Sequence, residues 1–482
     1  MSSQSCDVLI LGAGPAGMAA AMELVRAGRQ VTVVEKSAAV GGLARTLTFE
    51  EKDGTYRTDI GPHRFYSKNR YLYDFIEDLL GEEWMKVPRL TRFVIDGKFY
   101  FYPVKLGNVL SQIGLLKAVQ MMKDFGIEKI RSKTIPRKIR TFEDYAVANF
   151  GRSLAEFNML NYTEKIWGIP CNEINVDWAT QRIGGLSVWA TLKKAISGKG
   201  GPKSLVDTFY YPSKGCGLIY ETIRQRIEEK GSEMLMSSEP ESIVHDGKHV
   251  TEVIVRTPHG HRTFHPKAVV SSVPLTVSPA LFTPAPPSEV MDAAKGLRFR
   301  SQVYLFLTVN KERLTADNWV YFPDKNIPFG RISEMKNFST DMCPPGKTSL
   351  FIEFFCFEGD AIWNASKEEL FAQSIPFLEK MNLLHREDVG SLHHFKIPHV
   401  YPLYDFEYAN RAKTVLHWLD AFDNFFAVGR PGRFRYTNQD HSLEMGILAA
   451  QSILTGRRRD VDEVGNEQEY FEQGYVPGAK AA

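Results

Sequence analysis

The pattern of apolar and polar positions is most informative at the start of the chain. Val8 to Leu11 form a short unbroken apolar run, as a strand buried on both faces requires. A glycine-rich turn follows, and then Met18, Ala21, Met22 and Val25 recur at helical spacing across Ala16 to Arg26. Gly28 ends that pattern, and Val31 to Val34 form a second apolar run that stops at Glu35. Strand, turn, helix and strand are predicted in that order. Further along, Val109, Leu110, Ile113, Leu116, Val119 and Met122 predict a helix over Leu106 to Ile130. Asp53-Gly54 marks a hairpin turn. Lys267 to Pro274 is an apolar strand ending in small residues. Arg298 to Val309 alternates as a half-buried strand, and Leu350 to Phe357 is an aromatic-rich one. A last strand ends at Val428, and a last helix covers Asp440 to Leu454.

The first turn carries the chemistry. Gly12, Gly14 and Gly17 stand in G-x-G-x-x-G spacing between strand and helix. Gly12 permits the tight turn, Gly14 lets a pyrophosphate approach the backbone, and Gly17 lets helix and strand pack closely. The helix N-terminus offers N–H donors and positive dipole to phosphates. Glu35 ends the second strand, where a carboxylate accepts both ribose hydroxyls and disfavours a 2′-phosphate. A dinucleotide is the expected ligand.

Length and charge narrow the setting. A chain of 482 residues predicts two or three domains. A net charge of +2 gives no pull towards nucleic acid. Five cysteines are scattered, with no C-x-x-C and no ligand-spaced Cys/His cluster. Reduced thiols, no structural metal and a cytoplasmic location are expected. The first apolar run belongs to the nucleotide-binding strand rather than to a signal peptide. No apolar stretch approaches the length of a membrane span. Lys123 to Arg140 carries seven basic and two acidic residues. A solvated basic face is the favoured reading, with contact to an anionic membrane or polyphosphate lipid as the alternative. No Ser/His/Asp triad or paired-carboxylate motif stands out.

After Glu35 come Gly41-Gly42 and Arg45, an arrangement that resembles the FAD-binding arm of the amine oxidase, protoporphyrinogen oxidase and phytoene desaturase clan. FAD is thus the implied cofactor. Several stretches resemble UDP-galactopyranose mutase more closely. Residues 61–69, GPHRFYSKN, resemble the segment that passes beside the flavin, which implies His63 near the isoalloxazine, with Tyr66 in place of a second His. The run Tyr162-Thr163-Glu164-Lys165-x-Trp167-Gly168 is similar to a mutase signature. By that resemblance Trp167 helps wall the substrate cleft and Arg182 approaches the substrate diphosphate. Gly330 to Phe338, GRISEMKNF, resembles a further mutase stretch and implies Arg331 as a second diphosphate ligand. Tyr210 to Ile227 resembles the return into the flavin domain. Gly429-Arg430 then places an Arg at the flavin pyrophosphate, and Tyr436 and Asp440 fall on a tyrosine and an aspartate of the mutase pattern. The last helix aims its N-terminus at the flavin.

The resemblance spans Val8 to about Leu454. It implies an α/β protein with a discontinuous, glutathione-reductase-type (Rossmann-like) FAD domain from residues 1–80, 204–274 and 415–456. Residues 81–203 form a helical substrate-covering region, 275–414 a mostly antiparallel β substrate domain, and 457–482 a polar mobile tail. The implied function is a flavoenzyme acting on a nucleotide sugar in cell-surface glycan or sugar metabolism, interconverting pyranose and furanose through N5 of reduced FAD. The alternative is an FAD-dependent oxidoreductase of the amine oxidase, protoporphyrinogen oxidase or desaturase type, oxidising a small molecule.

Overall fold

The computed structural model describes residues 3–102, 106–134, 138–183 and 208–465. The predicted opening is present and longer: β1 (Ser3–Leu11), α1 (Pro15–Arg26) and β2 (Val31–Val34). β1 lies between two parallel neighbours, β2 and the strand Gly260–Ser271. Val8, Leu9, Ile10 and Leu11 are buried, as strands covered on both faces require. The strand Phe425–Ala427 also runs parallel to Gly260–Ser271. Glu233–Leu235, Glu239–His245, Val250–Thr257 and Phe282–Thr283 complete a mixed sheet of eight strands.

Four carboxyl ends of parallel strands therefore meet. Gly12 N–H donates to Val34 O at 2.8 Å, Ser272 N–H to Leu11 O at 2.8 Å, and Val428 N–H to Ser271 O at 2.8 Å. In open α/β sheets ligands bind outside such ends.

A second sheet of seven strands runs Val389–Pro402, Phe299–Val309, Thr348–Cys356, Arg331–Ser333, Trp319–Tyr321, Thr91–Ile95 and Lys98–Phe101. Its pairings are antiparallel except that between Trp319–Tyr321 and Thr91–Ile95. Residues 81–203 are thus not purely helical, since they supply the last two strands. Phe299–Val309 is buried along its whole length rather than half-buried. The alternation is real, but both faces are covered. Val303, Leu305 and Leu307 share a core with Leu370, Ile375 and Leu378 of the helix Lys367–Lys380. Tyr304 and Phe306 face Tyr56, Phe209 and Tyr211, with Phe49 stacked on Phe306 at 5.1 Å.

Two other expectations change. The helix predicted over Leu106–Ile130 is two helices, Leu106–Ile113 and Leu115–Thr134, divided at Gly114 with φ +78°. The polar stretch from residue 457 starts firmly held: Arg458 donates to Asp420 O at 2.7 Å, and Asp462 accepts from Arg433 Nε at 3.1 Å. Residues 466–482 lie outside the described ones.

The hairpin Thr46–Glu51 and Gly54–Asp59 forms as Asp53-Gly54 predicts. Its end is tied down by Asp59, a wholly buried carboxyl. Thr46 Oγ1 donates to it at 2.6 Å, Tyr211 OH at 2.7 Å and Cys216 N–H at 3.1 Å. Thr46 Oγ1 in turn accepts Gly217 N–H at 2.8 Å, at the start of the helix Gly217–Glu229. Burial pushes the Asp59 carboxyl up to about 6 against the lowering effect of these donors. A carboxyl raised on folding contributes stability that is full below its unfolded value near 3.8 and is lost as pH rises through about 6. The wild type should therefore lose about 2 to 2.5 kcal/mol relative to Asp59→Asn between pH 4 and pH 7. Urea denaturation across that range measures it; parallel curves for the two proteins would show that Asp59 titrates normally.

Candidate functional site

The carboxyl ends of β1 and β2, the α1 N-terminus and the second sheet enclose one cleft of about 1030 Å³. Its glycine end is built by the backbone. Gly12 takes φ +103°, a conformation that favours glycine. Gly14 stands at the α1 N-cap, and the nearest atom to a Cβ built on it is Gly42 Cα at 4.0 Å. The side-chain volume that glycine omits is therefore open cleft, bounded by the arm that carries Gly42 and Arg45. Gly17 does not line the cleft; it lets α1 sit directly on the turn, since a Cβ there would be 2.0 Å from Gly12 O.

Glu35 lines the same end. Its carboxylate accepts Ala13 N–H and Ser37 N–H, each at 2.7 Å, and a carboxylate has further acceptor sites for ribose hydroxyls. Burial lowers the Arg45 pKa, opposed by the charge of Glu35. Gly429 borders the turn through its backbone: a Cβ there would lie 3.2 Å from Ala16 Cβ. The helix Gln439–Thr455 begins with a capping box between Asn438 and His441 and points its N-terminus at the cleft through Gln439 and Asp440. Burial raises the Asp440 carboxyl, with His441 and Arg64 opposing. An open approach at Gly14, a carboxylate at the end of β2 and two helix N-termini fit a dinucleotide such as FAD.

The other end is aromatic and cationic. His63, Tyr66, Arg331, Tyr401, Arg430 and Tyr436 line it. Burial, with the charges of Arg430 and Arg331, pulls the His63 ring down to about 3, so it is neutral at physiological pH. The guanidinium of Arg64 lies over the Tyr66 ring at 5.7 Å. Tyr436 stacks on Tyr401 at 5.6 Å, and its N–H donates to Tyr404 OH at 2.8 Å. Arg430 is committed to this wall rather than to the glycine turn. Its Nε donates to Thr437 O at 2.8 Å, its Nη1 to Val400 O at 3.3 Å, and it lies over Tyr436 at 4.8 Å.

Arg331 is held by a residue that sequence reasoning missed. Its Nε and Nη2 donate to the two oxygens of Glu353 at 2.6 and 2.7 Å, a fork-to-fork pair. Glu353 is fully buried, and Gln302 Nε2 donates to it at 3.2 Å. The signal was present: Glu353 is the one charge inside the apolar run Leu350 to Phe357. His399 was also passed over as a site residue, although it lines the cleft with φ +56°.

Trp167 is a core residue, not a cleft wall. It packs edge-on against Trp178 at 4.7 Å and lies parallel to Tyr404 at 6.2 Å. The surrounding motif acts on the scaffold: Lys165 Nζ donates to Phe322 O at 2.9 Å and Asp324 O at 2.7 Å, steadying the loop before Arg331. Burial brings that amine down to about 7. Arg182 falls in the helix Val176–Ile183, but its side chain lies outside the described residues.

The family model described as flavin containing amine oxidoreductase matches residues 15–454. The chain belongs to that family. As a member of it the chain is an FAD-dependent enzyme. It is 25% identical over 355 residues to the L-amino-acid oxidase BmooLAAO-I of Bothrops moojeni, covering 67% of this chain and 66% of the oxidase. It is 23% identical over 173 residues to a probable UDP-galactopyranose mutase of Klebsiella pneumoniae, covering 35% of this chain and 42% of that one. Among solved structures, reduced UDP-galactopyranose mutase superposes with a TM-score of 0.81 at 23% identity, covering 97% of this chain and 99% of the other. A putative protoporphyrinogen oxidase from an Exiguobacterium species gives 0.70 at 16% identity, over 94% and 99%.

Arg331→Ala would leave Glu353 buried without its cation and should destabilise the family member by about 3–5 kcal/mol. Arg331→Met with Glu353→Gln should recover most of that loss. Urea denaturation reads both; a single variant as stable as the wild type would show that the pair contributes nothing.

Proposed function

We propose that the protein acts on a nucleotide sugar, interconverting pyranose and furanose ring forms with reduced FAD, on a glutathione-reductase-type framework. On this reading residues 1–80, 204–274 and 415–456 bind FAD, and residues 81–203 and 275–414 hold the sugar nucleotide. The observation that carries the reading is the pairing of Arg331 and Arg430 with Tyr401 and Tyr436 around a neutral His63. Two permanent cations among aromatic rings suit a diphosphate joined to a base and a sugar. The extended likeness to reduced UDP-galactopyranose mutase agrees with it.

Reduced FAD supplies a nucleophilic nitrogen, N5, when bound. The chain's own residues bind, orient and shield. Glu353 occupies Nε and Nη2 of Arg331 and fixes its plane, leaving Nη1 for a phosphate oxygen. Arg182, which the mutase resemblance sets at the diphosphate, joins Arg331 and Arg430 there. His63 and Tyr66 border the flavin ring. Being neutral, His63 donates or accepts a hydrogen bond without adding charge. Tyr436 stacks beside the sugar, and positioning with diphosphate stabilisation accounts for the protein's share of catalysis.

A second reading is net oxidation of a small molecule. The L-amino-acid oxidase similarity covers 67% of the chain, against 35% for the mutase. Electron demand separates the two. A ring-form interconversion requires reduced flavin and consumes no electrons, whereas an oxidation reduces the flavin once per turnover. Pre-reduced enzyme assayed anaerobically with UDP-, GDP- and dTDP-sugars should give many turnovers per added electron pair. Activity confined to oxidised enzyme, with flavin bleached in step with substrate, would reject the mutase reading.

A further inference from the structure

The helix Leu115–Thr134 carries apolar residues on two opposite sides. Ala118, Met121 and Phe125 are buried. On that side the chain is tightly apposed, since a Cβ on Gly151 would lie 2.9 Å from the Phe125 backbone. Asp124 turns inward too, accepting Ser153 N–H at 2.7 Å. At about 100° per residue, Leu116, Val119, Ile127 and Ile130 fall roughly opposite those three. They are 89%, 58%, 54% and 67% exposed. They run roughly 21 Å along the helix axis.

The charges on and beside this ridge are basic. Exposed Lys123 lies between Val119 and Ile127 on the same side, and exposed Arg131 lies beside Ile127 at the ridge's edge. Lys117 reaches Asp96 at 3.7 Å, and Glu128 is paired with Arg131 at 4.0 Å. The two carboxylates of the helix, Asp124 and Glu128, are thus both engaged by protein groups. A row of aliphatic side chains in water is uncommon on a soluble protein and marks an interaction surface. The ridge holds Leu, Val and Ile rather than the Trp and Tyr that anchor protein interfaces. Aliphatic chains framed by long basic ones match the boundary between acyl chains and lipid phosphates.

We propose that this face docks on an anionic lipid bilayer, with Leu116, Val119, Ile127 and Ile130 entering the acyl boundary and Lys123 and Arg131 meeting lipid phosphates. The basic stretch noted in the sequence is then not simply a solvated face. Docking is peripheral, because no helix among the described residues is long and apolar enough to cross a membrane. The inference does not depend on the identity of the substrate.

Co-sedimentation of the FAD-loaded full-length protein tests it, using phosphatidylglycerol-rich vesicles and vesicles of phosphatidylcholine alone. Binding should be at least about tenfold weaker to the neutral vesicles and should weaken similarly at high salt. Ile127→Glu with Ile130→Glu should cut binding at least about tenfold while leaving the melting temperature and the FAD content unchanged. Absence of binding by the wild type would overturn the proposal, as would binding that the double variant retains. A wild-type dimer in light scattering that the same variant dissociates would assign the face to a second copy. A lowered melting temperature would assign it to the chain's own interior. Either result rejects the bilayer.

Discussion

The fold depends on backbone meeting backbone without side chains between. A Cβ on Gly17 would stand 2.0 Å from Gly12 O, and one on Gly446 would stand 2.0 Å from Ala16 O. These two contacts press α1 onto the turn that follows β1 and press the last long helix onto α1. No side chain fits either gap, so a substitution at Gly17 must push α1 off the turn and one at Gly446 must push the last long helix off α1. The close approach is also what aims both helix N-termini into one cleft, at the carboxyl ends of the parallel strands. Packing and ligand geometry are the same constraint at this place.

The opposite wall is governed by charge. Glu353 is fully buried, and the guanidinium of Arg331 lies against its carboxylate. Around the pair, Tyr304, Gln302 and Tyr401 come from neighbouring strands of the second sheet, and Tyr304 OH hydrogen-bonds Gln302. The loop before Arg331 is held by Lys165, from a motif distant in sequence. His63 is kept neutral by its burial, aided by the same two guanidinium groups that give the wall its charge. The geometry of the site is thus fixed by a buried ion pair and by the residues that shield it.

What the sequence disclosed follows from how local each signal is. The G-x-G-x-x-G turn, the hairpin at Asp53-Gly54 and the last helix are written in contiguous residues, and each appears in the structure within a few residues. Periodicity located the strand Phe299–Val309 but could not say that a helix covers one face and a hairpin the other. Trp167 could be placed on a helix but not assigned to core or cleft, since that turns on Trp178 and Tyr404. Glu353 was visible as a charge in an apolar strand, yet its meaning rests on a pairing across strands with Arg331. Asp59 was hidden for the same reason: its three donors come from Thr46 and from the distant stretch Tyr211 to Cys216.

The central claim is that the glycine end of the cleft receives the flavin pyrophosphate at Gly14. This position separates ligand from fold unusually well. Its backbone is extended, with φ −75° and ψ 179°, and an added Cβ would meet nothing closer than 4.0 Å. A side chain here should be tolerated by the protein and not by a pyrophosphate lying on the backbone. The flavin-to-protein ratio of purified Gly14→Val, read beside its circular dichroism, is the measurement. The account predicts soluble, folded protein with almost no FAD. A folded Gly14→Val variant carrying FAD at the wild-type ratio would contradict it.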